Sequence, residues 1–383
     1  MGEDRETSCY DPPKNCPRTP DQAGEDKFMD NQAAIRFSRI PSASGAMARL
    51  AYAQAKAAGV SFEPLLKATG LTVQQMDDPG ARLKVRDQIK FLSLAADALD
   101  DTFLGFHLAK IPDLRQIGLL YYVLASSEIL TDALQRGARY SSIINEGISQ
   151  RSTDGADVRI AFNYVGVSRH LDRHQIEFWM TALVRMCRQI TGLRLLPTRV
   201  RLIHLRKGPC TELAEFFGTE VEFGASADEI VFAKRVGEVP IVGADPHLNT
   251  LLVKYCEEAL SHAPRRLGSF RSSVENAVVP LLPHGKVRAA DIARRLGVSE
   301  RTFARRLALE GLTFSGLLES LRFDLANRYL KEEGLSISQV AWLLGYREVG
   351  AFSHAFKRWT GKTPRTVRSQ HTAIPATITS ATP

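Results

Sequence analysis

The strongest constraint on the fold is a pattern that occurs twice in the last third of the chain: a helix with one apolar face, a glycine, and a second helix. The first copy lies within residues 287–314, where apolar positions recur three or four residues apart and stop at Gly297. Ser299 stands where it would cap the next helix, in which Phe303 and Leu307 are four residues apart. Two helices joined by a short glycine turn describe a helix-turn-helix, whose second helix enters the major groove of DNA.

The second copy follows about 48 residues later. Ser336 or Ser338 is in place to cap its first helix, Gly345 supplies the turn, and its second helix is predicted from about 349 to 359. The residues expected to hold that helix on the core recur at i, i+4 and i+7: Phe352, Phe356 and Trp359. We therefore predict helix-turn-helix motifs at about 289–307 and 337–359.

The segment between the two motifs, "FSGLLESLRFDLANRYLKE", predicts one long helix that packs against both of them. A helix of about 16 residues is roughly 24 Å long. It would hold the two second helices rigidly, near the ~34 Å spacing of consecutive major grooves. A single motif is a weak signal, but the tandem arrangement favours DNA binding over a purely structural bundle.

The charge distribution points to the same part of the chain. Residues 264–370 contain 19 Lys and Arg against 9 Asp and Glu, a net charge of +10, whereas the whole chain has +8. The basic excess therefore lies entirely in the last third, which indicates an acidic polymer as the partner of that part.

The two second helices present different side chains away from their apolar faces. In the first, the outward positions are Arg301, Ala304, Arg305 and Arg306; in the second, they are Gly350, Ser353, His354 and Lys357. Arg and Lys provide phosphate attraction and guanine contacts, while Ser and His reach base edges or the DNA backbone.

Residues 45–260 predict an α+β domain with helices around a small mixed sheet. "DVRIAFNY" alternates apolar and polar residues as a half-buried strand does, and further short strands are expected near Val200 and Val231. Helices are predicted at 85–98, at 128–143 and over "RHQIEFWMTALVRMCRQITG". The pattern leaves the order of the strands open. The expected fold is thus this α+β domain followed by an all-α domain with two helix-turn-helix units joined by a long helix.

The remaining segments are connecting or terminal. Residues 1–44 and 371–383 lack apolar periodicity and are expected to be a disordered leader and tail, and 261–273 is the expected linker to a DNA-binding domain at 274–370. Five cysteines without a repeating spacing indicate reduced thiols, the start of the chain does not resemble a signal peptide, and no apolar run reaches the length that spans a bilayer. These features predict a cytoplasmic protein without membrane contact.

Three stretches together resemble the AraC/XylS-type transcription regulators: "DIARRLGVSERTFARRL", "LRFDLANRYL" and "VAWLLGYREVGAFSHAFKRWTGKTP". The similarity covers about a hundred residues. The preceding region, through "QIGLLYYVLASSEILTDALQRGARY" and "LAEFFGTEVEFGASADEIVF", resembles the arabinose-binding-like, dimerising domain of one branch of that family. The resemblance implies an activator that forms a homodimer, binds a small-molecule effector and double-stranded promoter DNA, and contacts RNA polymerase.

The resemblance also implies roles for individual residues. Those expected to face bases are Arg301, Ala304, Arg305, Gly350, Ser353 and His354, and those expected to lie on phosphate are Arg306, Lys357 and Arg358. Ala304 lacks a hydrogen-bonding group, so the first helix would read through its two arginines. Glu348 has the same sign as phosphate and is expected to cap the second helix instead. Val367 replaces the aromatic residue that commonly precedes the final arginine.

Two other classes of function are compatible with a basic C-terminal part. An enzyme or repair sensor with an N-terminal active site would need a clustered catalytic set, and a sequence-blind architectural protein would bind DNA with salt-dependent but sequence-independent affinity. His170 and His174 have a metal-binding spacing, but a third ligand is not evident and a solvated polar face is the preferred interpretation. Cys9 and Cys16 resemble part of the zinc-bound cluster of DNA-alkylation sensors. That cluster needs four grouped cysteines, and the other three cysteines of this chain are far apart, so we do not expect such a site. No motif for a cofactor or catalytic metal is present. We therefore predict that the protein binds no cofactor or metal and is not an enzyme.

Overall fold

The computed structural model describes residues 41–206, 210–261, 270–285, 287–331 and 335–372. Most of the predicted leader, linker and tail lies outside these ranges. The described ends of those segments are more ordered than expected. Residues 42 and 43 form a strand, Ser261 ends one helix, the next helix begins at Phe270, and the last helix reaches Thr372.

The N-terminal part consists of helices around two small sheets. Its α-helices are α1 (Ala46–Ala57), α2 (Glu63–Thr69), α3 (Val73–Asp77), α4 (Val85–Leu99), α5 (Leu104–Lys110), α6 (Leu119–Ala125), α7 (Leu130–Ile144), α8 (His174–Thr191), α9 (Thr211–Phe217), α10 (Lys234–Gly237) and α11 (Pro246–Ser261). Its strands are β1 (Ser42–Ala43), β2 (Leu83–Lys84), β3 (Ile148–Asp154), β4 (Asp157–Tyr164), β5 (Arg199–Leu202), β6 (Val221–Phe223) and β7 (Asp228–Ala233). Short 3-10 helices cover Leu114–Ile117 and Arg169–Leu171.

The larger sheet has the strand order β3-β4-β7-β5-β6, in which only β5 and β6 pair in parallel. Val158 lies opposite Phe232 and Val200 opposite Ile230, so the apolar side chains of neighbouring strands share a face. The predicted alternation in β4 is confirmed, because its four apolar residues are buried while Arg159 and Asn163 are exposed. The predicted mixed sheet and its surrounding helices are therefore present.

The apolar side chains of this part form two clusters. The first joins the sheet to α6, α7 and α8, and it contains Ile160, Ile176 and Val200. The second lies among α1 to α5 and contains Ala51, Phe91 and Leu104. Trp179 of α8 packs against both clusters.

The C-terminal part is all-helical in the residues that the structure describes. It contains α12 (Phe270–Val278), α13 (Ala289–Arg295), α14 (Glu300–Leu309), α15 (Phe314–Lys331), α16 (Ile337–Leu343), α17 (Val349–Thr360) and α18 (Pro364–Thr372), with a 3-10 helix at Val279–His284. One apolar cluster, the C-terminal core, runs through all of these helices up to α17, from Val274 to Phe356, and Val367 of α18 packs against it. The long joining helix is confirmed, with 18 residues rather than about 16. No helix in the described ranges is long and apolar enough to cross a membrane.

The two parts meet through polar contacts that α12 and α15 make with the segment that follows β4. The Asn276 side chain accepts from the Arg169 backbone N–H at 2.7 Å and donates to the Val167 carbonyl at 3.1 Å. Ser168 donates to the carboxylate of Glu275, and Arg328 of α15 donates to the carbonyl of His170. We call these contacts the domain junction.

Candidate nucleic-acid interface

The first helix pair is α13 and α14. Ile292 and Ala293 of α13 are buried, and the chain turns at Gly297, whose φ of 67° is in the left-handed region that favours glycine. The Ser299 hydroxyl accepts from the Thr302 backbone N–H at 3.2 Å, which confirms the predicted cap of α14.

The second pair, α16 and α17, repeats this construction. Ser336, not Ser338, caps α16: its hydroxyl accepts from the Gln339 backbone N–H at 3.1 Å, and its own backbone N–H donates to the Gln339 side chain at 2.8 Å. Gly345 has a φ of 79°. The same backbone bond closes both turns, from the Val298 N–H to the Ala293 carbonyl at 3.0 Å and from the Tyr346 N–H to the Ala341 carbonyl at 2.9 Å.

Buried aromatic residues fix the orientation of each second helix. In α14, Phe303 is 2% exposed and stacks edge-on with Phe270 and Phe314. In α17, Phe352 and Phe356 are fully buried with ring centroids 5.7 Å apart. Because one side of each helix is held on the C-terminal core, the opposite side must face solvent.

The predicted contact residues lie on that outer side. Arg301, Ala304, Arg305 and Arg306 of α14 are exposed, as are Gly350, His354, Lys357 and Arg358 of α17, whereas Ser353 is half-buried. Their exposure agrees with a role in DNA contact, but their individual roles remain predictions. Arg347 and Lys362, which the sequence did not single out, are exposed just before and just after α17. A basic residue next to either end of a predicted recognition helix is the signal that would have found them.

Two of the predicted phosphate contacts have partners within the protein. Arg358 pairs with Glu319 of α15, whose carboxylate also accepts from the Trp359 indole N–H at 2.7 Å. Hydrogen bonds from Trp359 and Arg358 lower the pKa of Glu319. The Arg306 guanidinium lies 5.4 Å from the centre of the Phe270 ring. Arg305, by contrast, is exposed to solvent.

The joining helix α15 holds the second pair in place. Arg322 donates to the Leu344 carbonyl at 3.0 Å, just before the Gly345 turn, and its guanidinium lies 5.0 Å from the centre of the Tyr346 ring. Glu348 occupies the N-cap position of α17, but its side chain makes no capping hydrogen bond. The prediction that the Glu348 side chain caps this helix is therefore wrong.

The interpretation of His170 and His174 as a solvated polar face is also wrong. They are 6% and 1% exposed, and burial lowers the pKa of each to about 3. The C-terminal helices cover His170, a contact that the local sequence does not reveal. Within the described ranges, no group of three or more His, Cys, Asp or Glu side chains is arranged to hold a metal ion.

Comparison with known proteins gives a consistent result for both parts of the chain. Residues 59–241 match the family described as the arabinose-binding domain of AraC transcription regulator, N-terminal, and residues 292–370 match a helix-turn-helix domain family. The transcriptional regulator VirS of Mycobacterium tuberculosis is 29% identical over 73% of this chain and 83% of its own length. The ornithine utilization regulator of Pseudomonas aeruginosa is 26% identical over 81% of this chain and 91% of its own.

Among solved structures, the transcriptional regulator CdpR from Pseudomonas aeruginosa aligns with 80% of this chain and 96% of its own at 22% identity. The TM-score of this alignment is 0.37. The two family matches lie in the order that the resemblance implied, and the second contains the helix pairs described above. The chain therefore belongs to the AraC-type family of DNA-binding transcription regulators, with an arabinose-binding-like effector domain ahead of its helix-turn-helix domain.

Proposed function

We propose that each protomer reads two adjacent major-groove segments, one through α14 and one through α17. The observation that carries this proposal is that both helices are second members of a glycine-turn pair, are held by buried aromatics, and expose polar side chains on the opposite side. Arg301, Arg305, Ser353 and His354 are the side chains that hydrogen-bond to base edges. Lys357 and Arg306 contact phosphate, and Arg358 does so after leaving Glu319.

The joining helix α15 makes the two helix-turn-helix pairs one rigid unit. Its 18 residues span roughly 27 Å, which is comparable with the ~34 Å between consecutive major grooves. Leu317, Leu321 and Leu325 are buried in the C-terminal core that both helix pairs share. Rotation of one helix pair relative to the other would disrupt that common core, so the protein reads both DNA segments in a fixed register.

The N-terminal domain supplies regulation and dimerisation in this proposal. A small effector changes the balance between DNA-competent and incompetent arrangements, a coupling of typically about 1–3 kcal/mol. Leu248, Leu251 and Tyr255 are exposed on one face of α11, at 40%, 46% and 61%, and a second copy of the chain would cover them. The bound homodimer then activates transcription in the cytoplasm by contact with RNA polymerase.

The proposal assigns no catalytic activity to the N-terminal domain. Burial raises the pKa of the Cys187 thiol to about 12, and it also raises that of Cys210, so neither is a thiolate at neutral pH. The buried carboxylates of Glu177 and Asp228 are paired with Arg206 and Arg169, which fits a structural role.

The test is selection of bound sequences from a random duplex pool at physiological salt with the purified full-length chain. We expect a site with two separated blocks of preferred bases within roughly two helical turns. Binding that declines with salt but enriches no sequence would refute the reading function and support the architectural alternative.

A pair of variants separates base reading from charge. Replacing Arg305 with Ala is expected to weaken binding to the selected site about 5- to 150-fold, as for the loss of ~1–3 kcal/mol, and to relax one block. Arg294→Ala, which removes an equally positive and 79% exposed side chain from α13, is the matched control and should leave both blocks intact. Equal losses in the two variants on random DNA and on the selected site would mean that Arg305 contributes charge alone.

A further inference from the structure

A cavity of about 350 Å³ lies in the N-terminal domain, between α1, α4, α8 and the 3-10 helix Leu114–Ile117. Its size is in the range of sites that hold small organic ligands. Most of its lining is apolar and includes Met47, Leu114, Ile117, Phe178, Trp179 and Ala182. An aliphatic wall with two adjacent aromatic rings suits an apolar or aromatic molecule.

The two charged side chains at the cavity are occupied by the protein itself. The terminal nitrogens of Arg49 make four hydrogen bonds to backbone carbonyls, at 2.7–3.3 Å, which uses all their protons. The carboxylate of Asp113 accepts from the guanidinium of Arg115 at 2.8 Å. A charged ligand would therefore lose its hydration without gaining a free counter-charge.

Two buried polar atoms of lining residues, by contrast, lack hydrogen-bond partners in the described part of the chain: the Gln88 side-chain oxygen and the Trp179 indole nitrogen. One is an acceptor and the other a donor. The Gln88 amide nitrogen is used, because it donates to the Gln175 side-chain oxygen at 2.8 Å. Leaving such groups unpaired is costly, and a ligand with one polar group would pair one of them and recover part of that cost.

We propose that this cavity is the effector site and that it takes an uncharged, largely apolar molecule of one or two rings, or a short alkyl chain, with a single hydrogen-bonding group. The assignment rests on the proposed regulatory function and specifies the chemical class of its effector. The ligand lies between the two N-terminal apolar clusters, both of which contact Trp179. Filling the space between them changes how tightly they pack.

A continuous set of contacts links this cavity to the domain junction. Gln175 accepts from Gln88 and from Asn145, which also lines the cavity, and its backbone N–H donates to the Asp172 carboxylate at 2.9 Å. Arg169 donates to the Asp172 carbonyl, and the backbone N–H of Arg169 donates to Asn276 of the DNA-binding part. The hydrogen bonds thus run from the cavity to α12, which packs in the same C-terminal core as α14 and α17.

The test is a fluorescence titration of the full-length protein with 6-propionyl-2-(dimethylamino)naphthalene, a neutral two-ring probe whose ketone accepts one hydrogen bond. We expect saturable binding of one probe per chain with blue-shifted emission. Anionic 8-anilino-1-naphthalenesulfonate, which is similar in its naphthalene core but charged, should bind at least tenfold more weakly. Equal or tighter binding of the anionic probe would overturn the proposed chemical class.

Substitutions locate the probe. Ala182→Phe places a ring in the cavity and should reduce probe affinity at least tenfold, whereas Ala161→Phe, on the half-buried face of β4 outside the cavity, should not. Ile117→Trp serves the same purpose if thermal unfolding shows that Ala182→Phe fails to fold. Unchanged affinity in the folded filling variant, or no saturable binding to the parent chain, would overturn the site. Neither titration contains DNA, so a negative result here leaves the proposed DNA-reading function standing, and failure of the sequence selection refutes that function separately.

Discussion

The two turn glycines, 48 residues apart, provide a matched pair of substitutions: the local turn is the same at both sites, but the surrounding tertiary structure differs. Gly297 and Gly345 both have φ values in the left-handed region, 67° and 79°. A Cβ atom added at Gly297 would meet nothing within 4 Å, whereas one added at Gly345 would lie 2.5 Å from the Leu282 carbonyl oxygen. Alanine therefore meets the same backbone strain at both sites but a steric clash at only one.

The expected magnitudes follow from that geometry. The left-handed conformation costs an alanine roughly 1–2 kcal/mol, which should be the whole effect of Gly297→Ala. At Gly345 the obstacle is backbone, and Leu282, 1% exposed in the C-terminal core, cannot move without disturbing its neighbours. Overpacking of a filled core typically adds about 1–3 kcal/mol, so Gly345→Ala should lose about 2–5 kcal/mol.

Urea unfolding measures this difference. Two of the three tryptophans, Trp342 and Trp359, lie in or beside the second helix pair, so their fluorescence follows its unfolding. We expect the midpoint for Gly345→Ala to fall clearly below that for Gly297→Ala, together with a greater loss of DNA binding. Equal free-energy losses in the two variants would show that the Leu282 contact is not rigid and would refute the reasoning.

Three further predictions concern the domain junction, pH and assembly. Asn276→Ala removes the acceptor of the Arg169 backbone N–H and should speed hydrogen exchange of that amide about 5- to 150-fold, the equivalent of ~1–3 kcal/mol, whereas Asn163→Ala, an exposed asparagine in β4, should not change it. Burial, with the nearby Arg328 and Arg271, lowers the pKa of His170 to about 3 from about 6.5 in the unfolded chain. The stability of the fold that depends on the neutral imidazole is therefore fully present above pH 6.5 and is lost as pH falls toward 3. His170→Leu should therefore remove about 2 kcal/mol of the stability loss between pH 7 and pH 5 in urea unfolding, and an unchanged pH profile would contradict the assignment. Leu251→Glu tests the proposed dimer: it should shift sedimentation from dimer toward monomer, unlike Lys254→Glu on the same helix, and no shift would remove α11 from the proposed interface.

The features that could be predicted from the sequence are those set by contacts within a few residues. Apolar residues at i and i+4, a capping serine and a glycine that tolerates positive φ specify a helix pair locally, so both motifs were expected where the structure has them. The outward side of α14 and α17 follows from the same spacing. Once Phe303, Phe352 and Phe356 are assigned to the core, the exposed positions are fixed.

Sequence periodicity could not give the order of the sheet or the burial of polar groups, because both depend on partners far along the chain. Pairing of β4 with β7 joins residues about 70 positions apart, and alternation alone does not name a partner strand. "RHLDRH" has the composition of a solvated surface, yet Arg169 is 3% exposed because Asp228 supplies its counter-charge.

The sequence by itself therefore determined that this chain carries two helix-turn-helix pairs, since each pair is encoded by local spacing and turn chemistry. Only the tertiary structure decided how those helices contact the rest of the molecule. Residues of both N-terminal apolar clusters line the cavity, and the domain junction joins Asn276 to Arg169, 107 residues away along the chain. Such long-range contacts form through collective packing, which no local pattern specifies.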